Sequence, residues 1–532
     1  KDAYEKANPG KTIKEVTQAD GATQVFAIDN RTGAATPVMI AGAPVNALDY
    51  GVVGNGTTDD GPAIQLAVNA AAASGGPKRV SLPVGSFLFT TAVTLPSNIE
   101  IFGAGASTIL IGGAAGTIFN ATSKSNIVIR DIKTQNENAY ILFTLCSNIR
   151  ISNVYGQGLR TVGADFSQFA YLFNGCVDVL VENPTLDNYN NYLYFGNSGA
   201  TPCTGYAVVR GGWLGQSNTT HGTTLNNPAG VYQFECANLL VDGVTFSNIK
   251  SSVTAPAPFY GFGVYEGDGT AANIVSTTVV NCHFINDDGV NTSAAAITAT
   301  YTKKLIVANN TFDMAGQIGF IYGSRNTLIN GNIFNNSPVQ TGLSGSGSDG
   351  IFTVSNNKFI NTTGQALIMG NTNGGGSIRE ALVHGNTFEG GTVGAMWMRF
   401  VTYAEIMDNV ITDGNSSASA NDWEAGGINF YGCTEGFVDG NIVRNLTASG
   451  LNKYGVCINN ATNAVNVTSN NRFQYMSTGS VKNALTAPPT VGTWQQGEVI
   501  HAWLANAGGA MGWQCVTAGN PGTWKAMANL AA

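Results

Sequence analysis

The sequence predicts an all-β chain wound as a parallel β-helix, a solenoid closed at its start by a short helix and followed by a small β module. Three observations carry this. Between Ala106 and Phe473, units recur that open on a small residue, continue through apolar alternation and close on an Asn-x-Phe-like turn. The apolar turn residues Phe246, Phe284, Phe312, Phe334, Phe359, Phe388, Ile411, Val443 and Phe473 stand 38, 28, 22, 25, 29, 23, 32 and 30 apart. A coil of fixed girth with loops inserted at a corner gives such a floor with variable excess. Finally, one amphipathic helix is written into the chain with nothing local to cover its apolar face.

That helix follows Leu48–Asp60, where Gly51, Gly54 and Gly56 permit tight turns. Asp59 or Asp60 can cap it, and Pro62 opens its first turn. Ile64, Val68 and Ala71 share one face, and Ser74-Gly75-Gly76 stops it. An alternating strand from Arg79 to Val84, a second through Phe87 and Phe89, and Ile99–Gly103 come next. The helix reads as a lid on the open end of the solenoid.

The run DYGVVGNGTTDDGPAIQLAVNAAAASGG, with RVSLPVGSFLF and IEIFGAG after it, resembles the opening segment of the pectate-lyase-like superfamily, and in particular bacteriophage tailspike depolymerases. The resemblance is close over Ala47–Gly105 and extends to the repeats only in style. It implies a right-handed parallel β-helix, a homotrimer of side-by-side solenoids, and a bacterial surface polysaccharide (O-antigen or capsule) as substrate. It also implies catalytic carboxylates on successive coils, and a place on the virion tail with attachment to the phage baseplate. Fold alone does not fix chemistry.

In chain order, residues 1–44 hold one strand-like piece, Thr23–Asp29, and read as a neck or attachment stub. The chain starts at Lys1 rather than Met, and an N-terminal part is expected to precede it. Residues 45–484 form the β-helix, with Asn309, Asn332, Asn357, Asn386, Asn409 and Asn441 expected to stack as a ladder beside the turn residues. Longer inserts at 195–230, 254–261, 338–350, 371–377 and 415–426 are expected to build the walls of a binding groove. Residues 485–532 make a small β module carrying Trp494, Trp503, Trp513 and Trp524, either as its core or as sugar contacts.

Composition narrows the partners. With a net charge of −8 and no Lys/Arg cluster, binding to a nucleic-acid backbone is not expected. No apolar run reaches the length of a membrane span, and no secretory signal is visible. The eight cysteines lack CxxC spacing and read as free, buried thiols suited to a reducing cytoplasm. No His, Cys and carboxylate cluster suggests a metal, and no phosphate loop suggests a nucleotide, so no cofactor is expected.

Overlaying the unit starts puts Val231, Val264, Ile297, Phe320, Leu367, Met396, Ile428 and Val456 inward. The next residues, Tyr232, Tyr265, Thr298, Ile321, Ile368, Trp397, Asn429 and Cys457, then point outward. With Arg325, Arg399 and Tyr431 they suggest a sugar groove in which rings stack on pyranose faces and charges bind hydroxyls or acidic sugars. Tyr232, Tyr265, Arg325, Trp397 and Arg399 are the candidate substrate contacts.

Glu235, Glu266 and Asp268 are the candidate catalytic residues. At matching places on consecutive coils, stacked about 4.8 Å apart, one carboxyl would keep its proton beside an ionised neighbour, as glycoside hydrolysis requires. Strict alternation, however, turns Glu266 inward unless its strand ends at Tyr265. Asp287-Asp288-Gly289 resembles the paired aspartates of polygalacturonases, without that family's Gly-His-Gly and Arg-Ile-Lys motifs. Asp422 and Glu424 beside Trp423, and His221 as a base, are further candidates, while His283 and His384 sit in repeat turns as structural residues. The expected activity is hydrolytic depolymerisation; β-elimination on the same scaffold and a non-catalytic glycan-binding tail fibre are the alternatives.

Overall fold

A computed structural model covers the chain and describes residues 11–17, 23–29, 35–37 and 43–528. Within the last range the segments 75–77, 114–115, 136–139, 159–168, 190, 198–200, 216–228, 250–260, 267–273, 287–293, 300–301, 315–318, 322–325, 337–338 and 342–349 are outside the described residues. So are 363–364, 371–377, 392–393, 415–425, 447–451, 460–463, 477–478, 484–487, 489, 491–493, 498, 502–509 and 520.

The fold is a right-handed parallel β-helix. Among the described residues, thirty strands hydrogen-bond into one sheet that wraps two sides of the coil. It turns the corner inside the continuous strand Ser147–Gln157, whose first half pairs with Val177–Glu182 and whose last residues pair with Thr185–Asp187. Asn153 at the bend has φ 50°, a left-handed conformation that asparagine tolerates better than most side chains. The third side carries eight strands, from Val93–Thr94 to Ala294–Thr298, and then seven, from Gly319–Ile321 to Gly479–Asn483.

Inside, the Asn-x-Phe turns form two columns. Phe246, Phe284, Phe312, Phe334, Phe359 and Phe388 stack with centroids 4.6–4.8 Å apart and nearly parallel rings. Such contacts add about 0.5–1.5 kcal/mol per pair beyond burial. The small residue that opens each unit is explained by this column. A Cβ on Gly263 would lie 2.4 Å from the Phe284 ring, and one on Gly455 would lie 2.1 Å from Phe473.

The asparagine column runs Asn310, Asn332, Asn357, Asn386, Asn409, Asn441 and Asn471. Each backbone N–H donates to the next side-chain oxygen at 2.9–3.0 Å. The rung at the first position is Asn310, not Asn309. Asn309 takes the left-handed corner (φ 56°) that Gly331, Asn356, Gly385, Asp408 and Gly440 occupy on later coils.

The capping helix, Gly61–Ala73, buries Ile64, Ala67, Val68 and Ala71 completely. Asp60 stands at its N-cap, but its carboxylate accepts from Val53 N (2.7 Å) and Gly54 N (3.2 Å), pinning the glycine loop. Asp59 instead accepts from Gly61 N at 3.1 Å. No helix among the described residues is long and apolar enough to cross a membrane.

Outside the solenoid, Lys11–Thr17, Thr23–Asp29 and Ala35–Pro37 form an antiparallel sheet, so the one strand read from the sequence has a partner on each side. Val499–His501, Gly512–Thr517 and Thr523–Ala526 form another. Trp494 is buried in that last module and meets Trp524 edge-on at 4.9 Å. All eight cysteines are buried thiols without disulfides.

Candidate functional site

Three consecutive strands on the third side set out the site: Asn191–Gly196, Ala229–Gln233 and Gly261–Glu266. Their register stacks Leu193, Val231 and Val264 inward, and all three are buried. The neighbouring column, Tyr194, Tyr232, Tyr265 and then Thr298, faces out. Rings of Tyr194 and Tyr232 stack at 5.1 Å and 23°, and those of Tyr232 and Tyr265 meet at 5.0 Å. Phe169 closes the near end, edge-on to Tyr194 at 5.1 Å.

The aromatic row was expected to offer ring faces to sugars. Tyr194 and Tyr232 spend their facing ring faces on one another, and Tyr265 leans on Tyr232 at 54°, so the row is not a set of open ring platforms and also carries hydroxyls for hydrogen bonding.

Glu235 stands at the corner just past this face. It has φ 56°, at a corner where earlier coils place Ser123, Leu145 and Gly175 in the same left-handed conformation. For a glutamate this costs roughly 1–2 kcal/mol. Phe234 N donates to Phe195 O (2.8 Å), and Cys236 starts the next strand, so the corner is fixed on both sides. Glu235 is 7% exposed, and its carboxylate accepts from Asn197 Nδ2 at 3.0 Å. Tyr194 lies close by: burial, with Cys203 and Glu235 adding to it, pushes its hydroxyl up to about 12, so it stays a neutral donor at physiological pH.

Glu266 is not at the matching place. The register sets it opposite Gln233, not Glu235, in the inward column that runs through Phe143, Phe173 and Phe195. Alternation holds to the strand's end, and Glu266 is 2% exposed. Gln233 is itself a buried hub: it accepts from Thr277 Oγ1 (2.8 Å) and donates to Cys236 O (2.8 Å). The position two beyond Glu266 in sequence is Asp268, which lies outside the described residues, as do Arg325, His221, Asp287, Asp288, Asp422, Trp423 and Glu424.

Trp397 and Arg399 sit on the seven-stranded sheet, apart from the tyrosine row. The guanidinium of Arg399 lies 3.8 Å over the Trp397 ring, and the indole is 2% exposed. The pair is therefore a packed cation–π unit, not an open platform. Ile368, Asn429 and Cys457 in the same outward column are buried too. The strand Val339–Thr341, unseen in the sequence, shifts the start of this column. It puts Phe320 level with Ile368 and Trp397, and Ile321 level with Met369, reversing the expected order.

Two residues of the site were missed in the sequence, Tyr194 and Asn197. The alternation in Asn191-Tyr-Leu-Tyr-Phe-Gly196 carries the first, and placing the insert boundary at Phe195 hid the second. Among the described residues no group of His, Cys, Asp or Glu side chains could hold a metal ion. His283 lies 2.6 Å from Asp313, and His384 lies 3.0 Å from Glu405, both on the wrapped sheet away from Glu235.

Comparison with known proteins agrees with this architecture. Residues 44–254 match the family described as rhamnogalacturonase A/epimerase, pectate lyase-like, and residues 212–388 match the right handed beta helix region. The matched regions are thus similar to pectate-lyase-like and right-handed β-helix families, and the chain has the right-handed parallel β-helix fold. A double-mutant tailspike of E. coli bacteriophage HK620 superposes with a TM-score of 0.52 at 12% identity, covering 96% of this chain and 97% of that one. A further mutant of that tailspike, in complex with a hexasaccharide, gives 0.51 at 12% identity with the same coverage. The surface adhesin PfbA of Streptococcus pneumoniae gives 0.42 at 13% identity over 92% of this chain and 100% of that one. No curated protein matches the sequence significantly.

Proposed function

We propose that this protein is a phage tailspike that binds a bacterial surface polysaccharide, O-antigen or capsule, and depolymerises it by glycoside hydrolysis. The observation that carries the reading is a row of tyrosine hydroxyls, Tyr194, Tyr232 and Tyr265, leading to a shielded carboxylate, Glu235, at a strained corner. Glu235 acts on the glycosidic bond, and a second carboxyl on the next coil, Asp268 by sequence count, is its proposed partner. Glu266, facing the interior, drops out of the pair. The likeness to a tailspike solved with a hexasaccharide supports a glycan on this fold.

Elimination is disfavoured by charge. It needs a cation to neutralise a uronate carboxylate, yet the 92 residues from 211 to 302 carry one lysine, Lys250, and six acids: Glu235, Asp242, Glu266, Asp268, Asp287 and Asp288.

The protein would act as a homotrimer on the virion tail, at the bacterial surface. An apolar outward residue such as Ile368 would be a motive for trimer contact, but Ile368 is buried. The wrapped sheet supplies a better one: Leu180, Val208, Leu240, Ile306, Leu328 and Leu382 lie in one outward column, interrupted by Thr278 and Thr353, with Leu328 36% exposed.

Incubation with a panel of O-antigen and capsular polysaccharides, followed by mass analysis, tests the reading. Fragments gaining one water per cleavage, lost with Glu235→Gln, are expected. Unsaturated ends would establish the lyase, and an intact but bound glycan would establish the tail fibre.

A further inference from the structure

We propose that Cys203 and Cys236 form a modification site, where a small two-electron oxidant joins them in a disulfide that staples two adjacent coils of the solenoid. Nothing in this depends on the glycan reading.

Four of the eight cysteines share one column on successive coils: Cys146, Cys176, Cys203 and Cys236. Three of them, Cys146, Cys176 and Cys236, each follow a left-handed corner residue, Leu145, Gly175 and Glu235. Val177 N donates to Cys146 O (2.8 Å) and Thr204 N to Cys176 O (3.0 Å), which sets Cys176 beside Cys146 and Cys203 beside Cys176. Cys203 pairs directly with Cys236 in the register, although the ladder shifts just after it. All four are buried thiols. Paired strands stand about 4.8 Å apart, inside the roughly 4.4–6.8 Å Cα separation that a disulfide spans.

One pair differs from the rest. The thiols of Cys146, Cys176 and Cys203 each donate to a carbonyl of the preceding coil: Ala121 O (3.4 Å), Phe143 O (3.5 Å) and Phe173 O (3.2 Å). The register makes Phe195 O the matching carbonyl for Cys236, but that oxygen accepts from Phe234 N (2.8 Å). Cys236 Sγ instead lies 3.7 Å from Asn238 O on its own strand and hydrogen-bonds to Cys203. That bond, helped by the Cys176 amide donating at 3.3 Å, outweighs burial and holds Cys203 below the ordinary thiol value. The thiolate is the attacking form.

With diamide, a diazene, the Cys203 thiolate adds to one nitrogen. The Cys236 sulfur then attacks Cys203 Sγ, forming the S–S bond and breaking S–N. The two thiol protons and two electrons leave with the hydrazine.

The test is a thiol map. Purified protein is oxidised with diamide, its remaining thiols are alkylated in denaturant, and the digest is sequenced by mass spectrometry without reduction. The expected product links Cys203 to Cys236, short of two hydrogens, with the other six cysteines alkylated. The oxidised protein should melt at or above the reduced one, and dithiothreitol should remove the link. Cys282→Ser, outside the column, should keep the link, and Cys236→Ser should lose it. Eight alkylated cysteines after exhaustive oxidation, or a link between any other pair, would overturn the proposal whether or not Cys236→Ser folds. So would a lower melting temperature on oxidation, because the native spacing would then not suit the bond.

Discussion

Gln233 and Glu266 face each other across adjacent coils, both turned into the solenoid, while Glu235 two residues on turns out to the corner. Two glutamates that look equivalent in the sequence therefore do different work. Glu266→Gln should leave turnover within about twofold of wild type, whereas Glu235→Gln should lower it by ~10²-fold or more, the scale of acid–base catalysis. Steady-state rates of the two variants on a cleaved polysaccharide decide this. Equal losses in both would place Glu266 back in the reaction.

The asparagine column makes a sharper claim about stability. Asn357 accepts from Asn332 N and Nδ2 (both 2.9 Å) and donates to Ile329 O and Asn386 Oδ1 (both 2.9 Å). Asn357→Leu removes all four bonds; Asn386 Oδ1 keeps the backbone N–H of residue 357 and Asn332 Nδ2 keeps Val307 O, while Asn332 N and Ile329 O lose these partners, at about 1–3 kcal/mol for each group left unsatisfied. A fall of several degrees in melting temperature is expected, against almost none for Leu66→Ala, which is 57% exposed on the capping helix. Similar melting of the two variants would show that the column is not a stabilising element.

Much of this was legible in the residues, and the exceptions have physical causes. The turn spacing gave the coil because the buried phenylalanine column admits no slippage. Asn309 and Asn310 are adjacent asparagines, and only the corner's left-handed backbone tells which of them is the rung. Glu266 obeyed the period of two to the end of its strand, where a sequence reader has no boundary to check. Val339–Thr341 was lost because its three residues lie between Pro338 and a long Gly/Ser stretch. Tyr194 was missed since its coil departs into an insert soon after, breaking the unit pattern.

Acid should loosen the capped end first. Burial tends to raise the Asp59 carboxyl, but hydrogen bonds from the Thr90 and Thr91 hydroxyls and from the Gly61 and Thr90 amides outweigh it and hold it low. Glu100 is likewise held low, its burial outweighed by Arg79 and Arg130. A depressed folded-state value means that the stabilisation is full above the unfolded value, about 4. It is lost as pH falls through the lower folded value. Melting temperature should therefore drop below pH 4, with a shallower drop in Asp59→Asn, which already lacks the linkage. Hydrogen exchange at pH 3 should open Gly61–Ala73 before the asparagine column. An acid slope unchanged in Asp59→Asn would remove Asp59 from the account.

The tyrosine row predicts an unusual mutational pattern for glycan binding. Because Tyr232 is stacked on Tyr194 at 23° and covered on its other side by Tyr265, tilted at 54°, what Tyr232 offers a sugar is its hydroxyl. Tyr232→Phe keeps the stack and removes one hydroxyl, so the loss should be that of a single hydrogen bond, about 0.5–1.5 kcal/mol or up to roughly tenfold in Kd. Tyr232→Leu removes the stack as well, yet should weaken binding only a little more, since the ring face does not touch the sugar. Calorimetry on the inactive Glu235→Gln background, with a polysaccharide that the wild type cleaves, separates the two effects. If Tyr232→Phe binds as wild type and Tyr232→Leu loses most affinity, then the rings and not the hydroxyls hold the glycan, and the row works as an apolar platform after all.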